Sequence, residues 1–155
     1  MKTLNNTILI SLRCQLSNYS TVLINYRCGT GHSVSFVGNV HEGPHALNGR
    51  NTTLMRPGMV VTDEPGVYET DLVGIRIENE LVCVHRADNQ YGTFLGFEPL
   101  MFVPIATSPI LPGVLDKDEI AWLNDYHRQV FAKLAPHLND EERSWLAEKC
   151  AAIGC

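Results

Sequence analysis

The first 27 residues contain no aspartate and no glutamate, and no Cys-x-x-Cys pair occurs anywhere in the chain. The first absence leaves that stretch without a carboxylate ligand, and the second excludes a zinc knuckle or a dithiol redox motif. The five cysteines, Cys14, Cys28, Cys83, Cys150 and Cys155, are odd in number and show no paired spacing, so a reduced, cytoplasmic setting is expected. Long apolar runs are missing too. The run Ile8-Leu-Ile10 is too brief for a signal peptide, and nothing approaches the roughly 20 residues of a membrane span, so no membrane partner is expected. Basic charge is scarce and scattered: 12 Lys and Arg against 17 Asp and Glu give a net charge of −5, which leaves no footprint for nucleic acid.

What is present suits one globular fold. With 155 residues, 45% hydrophobic and 19% charged, the chain can bury a core and does not have the composition of a disordered segment. Residues 1–25 are an unassigned lead-in, with a possible strand only at Thr21-Val-Leu-Ile24. Ser33-Val-Ser-Phe-Val37 alternates polar with apolar and predicts a half-buried strand, so that His32 and His41 flank a short hairpin-like excursion. Met59-Val-Val-Thr62 predicts a strand that runs into Asp63-Glu-Pro-Gly66, where Pro65 holds Glu64 extended at the strand end. Gly74-Ile-Arg-Ile-Glu78 alternates strictly, which places Ile75 and Ile77 on a core face and Arg76 with Glu78 on the other. Leu81-Val-Cys-Val84 is expected to return beside it as a hairpin, followed by a polar loop from His85 to Thr93 and an apolar strand at 94–103 broken by Pro99. Two helices then close the chain. Asp116-Lys-Asp-Glu119 and Asn139-Asp-Glu-Glu142 have capping-box spacing, and Ile120, Leu123, His127, Val130 and Leu134 recur at helical intervals until Pro136. Trp122, Tyr126 and Trp145 read as packing residues.

The chemistry concentrates between Cys28 and Asn79, in Gly29-Thr-Gly-His32, Asn39-Val-His-Glu-Gly-Pro44, Asp63-Glu-Pro-Gly66 and Gly74-Ile-Arg-Ile-Glu-Asn79. Imidazoles and carboxylates beside Gly and Pro turns are how a chain brings hard nitrogen and oxygen ligands to one point. Each residue also has a plainer reading: His32 as a core-edge histidine, Glu64 as a solvated carboxylate, Arg76 and Glu78 as a surface ion pair. His45 and His85 have no matching role and read as structural.

Taken in order, these four segments resemble the second half of the catalytic domain of Xaa-Pro aminopeptidases, metallopeptidases of the pita-bread fold. The resemblance implies an α+β architecture: a curved antiparallel sheet, the second half of a pita-bread fold, with two C-terminal helices. It divides the chain into the lead-in (1–25), the catalytic half-domain (26–93) and a C-terminal peptidase domain (94–155). It implies two metal ions per site, commonly Mn2+, held by Asp, Asp, His, Glu and Glu, of which the last three map onto His32, Glu64 and Glu78. By the same resemblance Glu64 would also handle the proton of the attacking water, His41 would bind the scissile carbonyl, and Cys28 stands where a histidine shapes the proline-accepting pocket; Arg76, on the face of Glu78, is expected to orient that carboxylate. The implied substrates are peptides with proline in second position, and the implied assembly is a homodimer or other self-association.

The departures matter as much. The two aspartates of the family pattern have no counterpart, and Ser33 and Ser35 replace glycines. Two readings follow. One is a metal-dependent aminopeptidase of Xaa-Pro type in a truncated form, holding at most one ion. The other is a catalytically inactive fragment or relict that acts through binding or dimerisation.

Overall fold

In a computed structural model of the chain, residues 29–111 and 113–154 are described; Cys28, the lead-in and the expected strand at Thr21–Ile24 lie outside them. Seven strands come first: β1 (Gly31–His32), β2 (Ala46–Leu47), β3 (Val60–Asp63), β4 (Gly66–Glu69), β5 (Val73–Arg76), β6 (Asn79–Asn89) and β7 (Gly92–Pro99). Helix α1 (Lys117–Leu134), a 3-10 turn (Ala135–His137) and helix α2 (Asp140–Lys149) follow. The described residues divide after Met101 into a sheet unit and a helical unit.

Every strand pairing in the sheet unit is antiparallel. β1 pairs with β2, β3 with β6, β6 with β7, and β4 with β5. The β3–β6 register sets Val61 opposite Leu81, and with Cys83 these form the buried centre of the unit. Burying a side chain of this size contributes about 1.5–3 kcal/mol, which anchors the strand that leads into Glu64. The thiol of Cys83 is pushed up in pKa by burial.

Several expectations are corrected. Only Ser33 of the segment 33–37 forms a bridge, to Val61, and Phe36 and Val37 are fully or largely exposed. The chain leaves β3 at that point, turns through a Ser35 N–H bond to the Asn39 carbonyl, and closes with the Glu42 N–H on the Ser33 carbonyl. The excursion between His32 and His41 is therefore hairpin-like but not a half-buried strand.

The β5 segment does not pair with Leu81–Val84. It pairs with β4 as a two-stranded ribbon, and Ile75 and Ile77 are about half exposed instead of forming a core face. The segment His85–Thr93 is not a loop but the outer half of the β6–β7 hairpin. Its polar side chains pair with one another, His85 with Asp88, Thr93 with Asp88 and Arg86 with Glu98, and Gly92 turns the chain at φ 126°. Of these, Thr93 with Asp88 and Arg86 with Glu98 join β6 to β7, and such cross-strand pairs support a hairpin that has little apolar surface to bury.

The helical unit follows its sequence signals closely. Both capping boxes form: Asp116 accepts from the Asp118 and Glu119 N–H groups, Asn139 accepts from Glu142, and each N3 glutamate bonds back to its cap residue. Ile120, Leu123, Tyr126, His127 and Val130 are the buried face of α1. Tyr126, Val130 and Leu146 make the core, with Phe102, Ile105, Phe131, Leu134, Leu138 and Cys150 packed against it. Trp122 stacks on Tyr126, whereas Trp145 is 56% exposed and is not a packing residue. Neighbouring residues on α1 hold the chain that leads into it: the Tyr126 hydroxyl bonds both the N–H and the carbonyl of Val103, and the His127 Nε2 accepts the Ile105 N–H.

Candidate functional site

β1 can lie against β3 only because residue 31 is glycine. A Cβ there would sit 1.8 Å from the Thr62 carbonyl oxygen, far inside contact distance. This close approach brings His32 to Thr62 and, through it, to Glu64. The Thr62 hydroxyl accepts the His32 N–H at 3.0 Å and donates to Glu64 Oε1 at 2.9 Å. The Glu64 N–H in turn bonds the Thr30 carbonyl at 2.6 Å. Thr62 and Glu64 lie two residues apart on an extended chain and so face the same side.

The imidazole of His32 is fixed in one tautomer. Its Nδ1 lies 2.9 Å from the Ser33 carbonyl, an oxygen that can only accept, so Nδ1 carries the hydrogen. The Nε2 of the neutral ring then presents a lone pair to Glu64 Oε1 at 3.1 Å. Two acceptors facing each other at that distance call for a proton or a metal ion between them. The His41 ring lies against His32 with centroids 4.0 Å apart and a 38° tilt, and is itself exposed.

Arg76 departs from expectation. It pairs with Glu64, NH1 to Oε2 at 2.5 Å, instead of orienting Glu78. Its Nε–H donates to the Tyr68 hydroxyl at 2.6 Å, and that bond is the main cause of its raised pKa, with the charges of Glu64 and then Glu78 adding to it. Tyr68 lies over two glycines, since a Cβ on Gly66 or on Gly74 would meet its ring.

Glu78 is exposed in the link between β5 and β6. The β4–β5 register sets Gly66 opposite Arg76, and the Ile77 N–H extends it to the Pro65 carbonyl. Continuing that register one step places Glu78 opposite Glu64 along the chain, but the Glu78 side chain does not join the His32–Glu64 pair. Among the described residues no three His, Cys, Asp or Glu side chains converge in a group that could hold a metal ion. The donor set therefore fits the edge of one ion, His32 with Glu64, and not a two-ion centre.

His45 lies outside this arrangement and ties its loop to β3, Nε2–H to the Val60 carbonyl at 2.7 Å. Sequence reasoning missed Thr62 and Tyr68. The two-residue spacing from Thr62 to Glu64 is a signal that could have found the first, and the glycines at 66 and 74 a signal for the second.

Two family profiles match the chain consecutively: metallopeptidase family M24 over residues 10–85 and the C-terminal region of peptidase_M24 over residues 93–153. The chain belongs to family M24. The first of these M24 matches reaches back into the segment 1–25, for which the residues themselves suggest no role.

The chain is 45% identical to aminopeptidase P2 of Arabidopsis thaliana over 130 residues, covering 79% of this chain and 18% of that protein. It is 40% identical to a probable Xaa-Pro aminopeptidase P of Coprinopsis cinerea over 138 residues, covering 84% and 22%. In structure it is similar to the X-prolyl aminopeptidase of Caenorhabditis elegans, described as a cytosolic enzyme with a di-nuclear active site. The TM-score is 0.78 at 38% identity, over 91% of this chain and 23% of that one. The antiparallel sheets and two helices are thus part of the pita-bread architecture of M24. The chain spans about a fifth of the length of the curated relatives it matches. No described helix is long and apolar enough to cross a membrane.

Proposed function

We propose that this chain is the second half of a Xaa-Pro aminopeptidase catalytic domain joined to that enzyme's C-terminal region, and that it binds one divalent ion and a peptide with proline in second position. The observation that carries this is the His32–Glu64 pair, Nε2 to Oε1 at 3.1 Å, with His32 Nδ1 held on the Ser33 carbonyl. In this reading His32 and Glu64 hold the ion, Glu78 joins them from the facing register position, and manganese suits this oxygen-rich set with one imidazole. A bound divalent ion supplies Lewis acidity at the peptide carbonyl.

In a complete catalytic centre the chain's own groups would do the rest: His41, against His32, would donate to the carbonyl oxygen of the substrate, and Glu64 would take and return the proton of the attacking water. Thr62 fixes the positions of His32 and Glu64. Cys28, outside the described residues, takes the sequence position of the histidine that shapes the proline pocket in the family. Residues 26–93 form the catalytic half-domain and 94–155 the C-terminal domain. A cytoplasmic location fits the free thiols of Cys83 and Cys150 among the described residues and the description of the Caenorhabditis elegans relative. Self-association fits the exposed Leu72, Val73, Ile75 and Ile77 on the β4–β5 ribbon.

Turnover needs more carboxylates than these residues provide. Residues 1–27 hold none, and a two-ion centre depends on carboxylates that neutralise and bridge the ions. By itself the chain should bind peptide and metal without hydrolysis. Equilibrium dialysis against manganese, with release of the first residue of an Xaa-Pro peptide followed in parallel, tests this. The expected result is at most one weakly held ion per chain, lost in His32→Ala, and no release. Two tightly held ions with turnover abolished by His32→Ala would overturn it.

A further inference from the structure

Both oxygens of Glu64 already have partners from within the chain. Oε1 accepts from the Thr62 hydroxyl and faces His32, and Oε2 accepts from Arg76. These partners differ in how firmly they are held. Thr62 is 5% exposed and sits in β3, and His32 is bound to Thr62 through its backbone. Arg76 reaches in from a ribbon exposed along all four residues of β5, and its side chain is 42% exposed against 11% for Glu64.

The charge balance gives Arg76 a role. The continued β4–β5 register sets two carboxylates, Glu64 and Glu78, opposite each other, and like charges directly across a ribbon repel. A cation between them relieves that repulsion. Guanidinium is permanently charged, and here it lies diagonal to Glu64 within its own strand pair, so it can neutralise the carboxylate without any metal. A divalent ion approaching Glu64 Oε2 meets a like charge and an occupied oxygen. Arg76 has a second anchorage, since its Nε–H bonds the Tyr68 hydroxyl and its Cζ lies 5.6 Å from the centre of that ring. It can therefore let go of Glu64 and remain on Tyr68.

We infer that Arg76 is a built-in counter-cation that holds Glu64 in the metal-free chain and competes with a divalent ion for it. This rests on the reading of His32 and Glu64 as ligands, and adds to it that the chain's own arginine sets the weakness of binding. Charge and hydrogen bonding, not space, make it compete, so a neutral side chain of similar length should bind metal better even though a contact of the folded chain is lost.

The test is calorimetric titration of the chelator-treated full chain with Mn2+, comparing wild type, Arg76→Met, Arg76→Lys and Glu64→Gln, each checked for native circular dichroism. Arg76→Met should bind Mn2+ about fivefold more tightly, the scale of one partly exposed ion pair. Arg76→Lys, which keeps the charge and loses the fork, should fall between. Glu64→Gln should lose binding. A second reading comes from thermal unfolding with the double variant added: in chelator, Arg76→Met and Glu64→Gln should show coupled destabilisation, and saturating Mn2+ should erase that coupling. Measurable binding that Arg76→Met leaves unchanged or weakens would refute the competition while leaving the ligand assignment intact. No binding by wild type or by Arg76→Met would refute the ligand assignment, and the inference with it.

Discussion

Replacing Thr62 by valine is the sharpest test of how the site is held, because it removes one oxygen and keeps the volume. Thr62 is 5% exposed, so little water can replace what is lost. Its hydroxyl serves two partners: it accepts the His32 N–H and donates to a glutamate oxygen that is itself largely buried. An orphaned buried donor costs about 1–3 kcal/mol, and a lost bond to a charged acceptor costs about 1.5–3 kcal/mol. Arg76 remains on Glu64, and the side chain of His32 is 19% exposed, so both losses fall in the lower part of their ranges. The expected destabilisation of Thr62→Val is about 2–4 kcal/mol. Thr62→Ser keeps the hydroxyl and loses one methyl, about 1 kcal/mol. Both tryptophans, Trp122 and Trp145, lie in the helical unit, so urea unfolding of the sheet unit should be followed by far-ultraviolet circular dichroism and not by fluorescence. A valine variant within about 0.5 kcal/mol of wild type, the ordinary surface range, would refute the reasoning. So would a serine variant as unstable as valine.

Gly31→Ala should be costly, about 3 kcal/mol or more, because the new Cβ meets the Thr62 backbone, which cannot rotate away. Gly29→Ala, where nothing lies within 4 Å, should cost less than about 1 kcal/mol, and equal costs for the two in urea denaturation would disprove the close-approach argument. In the helical unit, burial lowers the His127 pKa from its ordinary 6.5, against the smaller opposing effect of the Ile105 bond. The neutral form is the one that fits, so its contribution is complete above pH 6.5 and declines as the pH falls below 6.5 toward the depressed folded value. Tryptophan fluorescence should show the helical unit losing stability as the pH falls below 6.5, and His127→Gln, which keeps an acceptor for Ile105, should lose less. An equal decline in both proteins would assign the effect to other groups.

How much of this was legible in the sequence depended on how local the signal was. The helices were readable to their caps because a capping box is closed within four residues, as Asp116 with Glu119 and Asn139 with Glu142 show. The buried face of α1 was legible for the same reason: residues three and four apart share a face whatever packs on it. Glu64 held at the end of a strand was legible from Pro65. The strands were readable as strands but not as pairs. Alternation in Gly74–Glu78 shows which side chains share a face, yet does not show whether anything covers it, and Ile75 and Ile77 stay half exposed. Phe36 and Val37 show the same gap, since an apolar alternation needs a partner that none of the described residues provides there. His85–Thr93 failed in the opposite direction, because a polar segment can be strand when its cross-strand partners are polar as well.

The site shows where that limit bears on chemistry. Alternation put Arg76 and Glu78 on one face and so suggested that they pair. Residues two apart on a strand are about 6.5–7 Å apart, whereas directly opposed residues of an antiparallel pair bring their Cβ atoms to about 4.5–5.5 Å and diagonal ones to about 7–8 Å, still within reach of a long side chain. Arginine could therefore reach either carboxylate, and the environment decides between them. Glu64 is 8% exposed and its Oε1 is taken by the Thr62 hydroxyl, so its second oxygen gains much from the charged donor that Arg76 supplies, while Glu78 is exposed to solvent. A charge-assisted bond is worth more where water is excluded. The competition is thus won by burial, a property set by β3 against β1 and by Gly31, some 45 residues before the arginine whose partner it chooses.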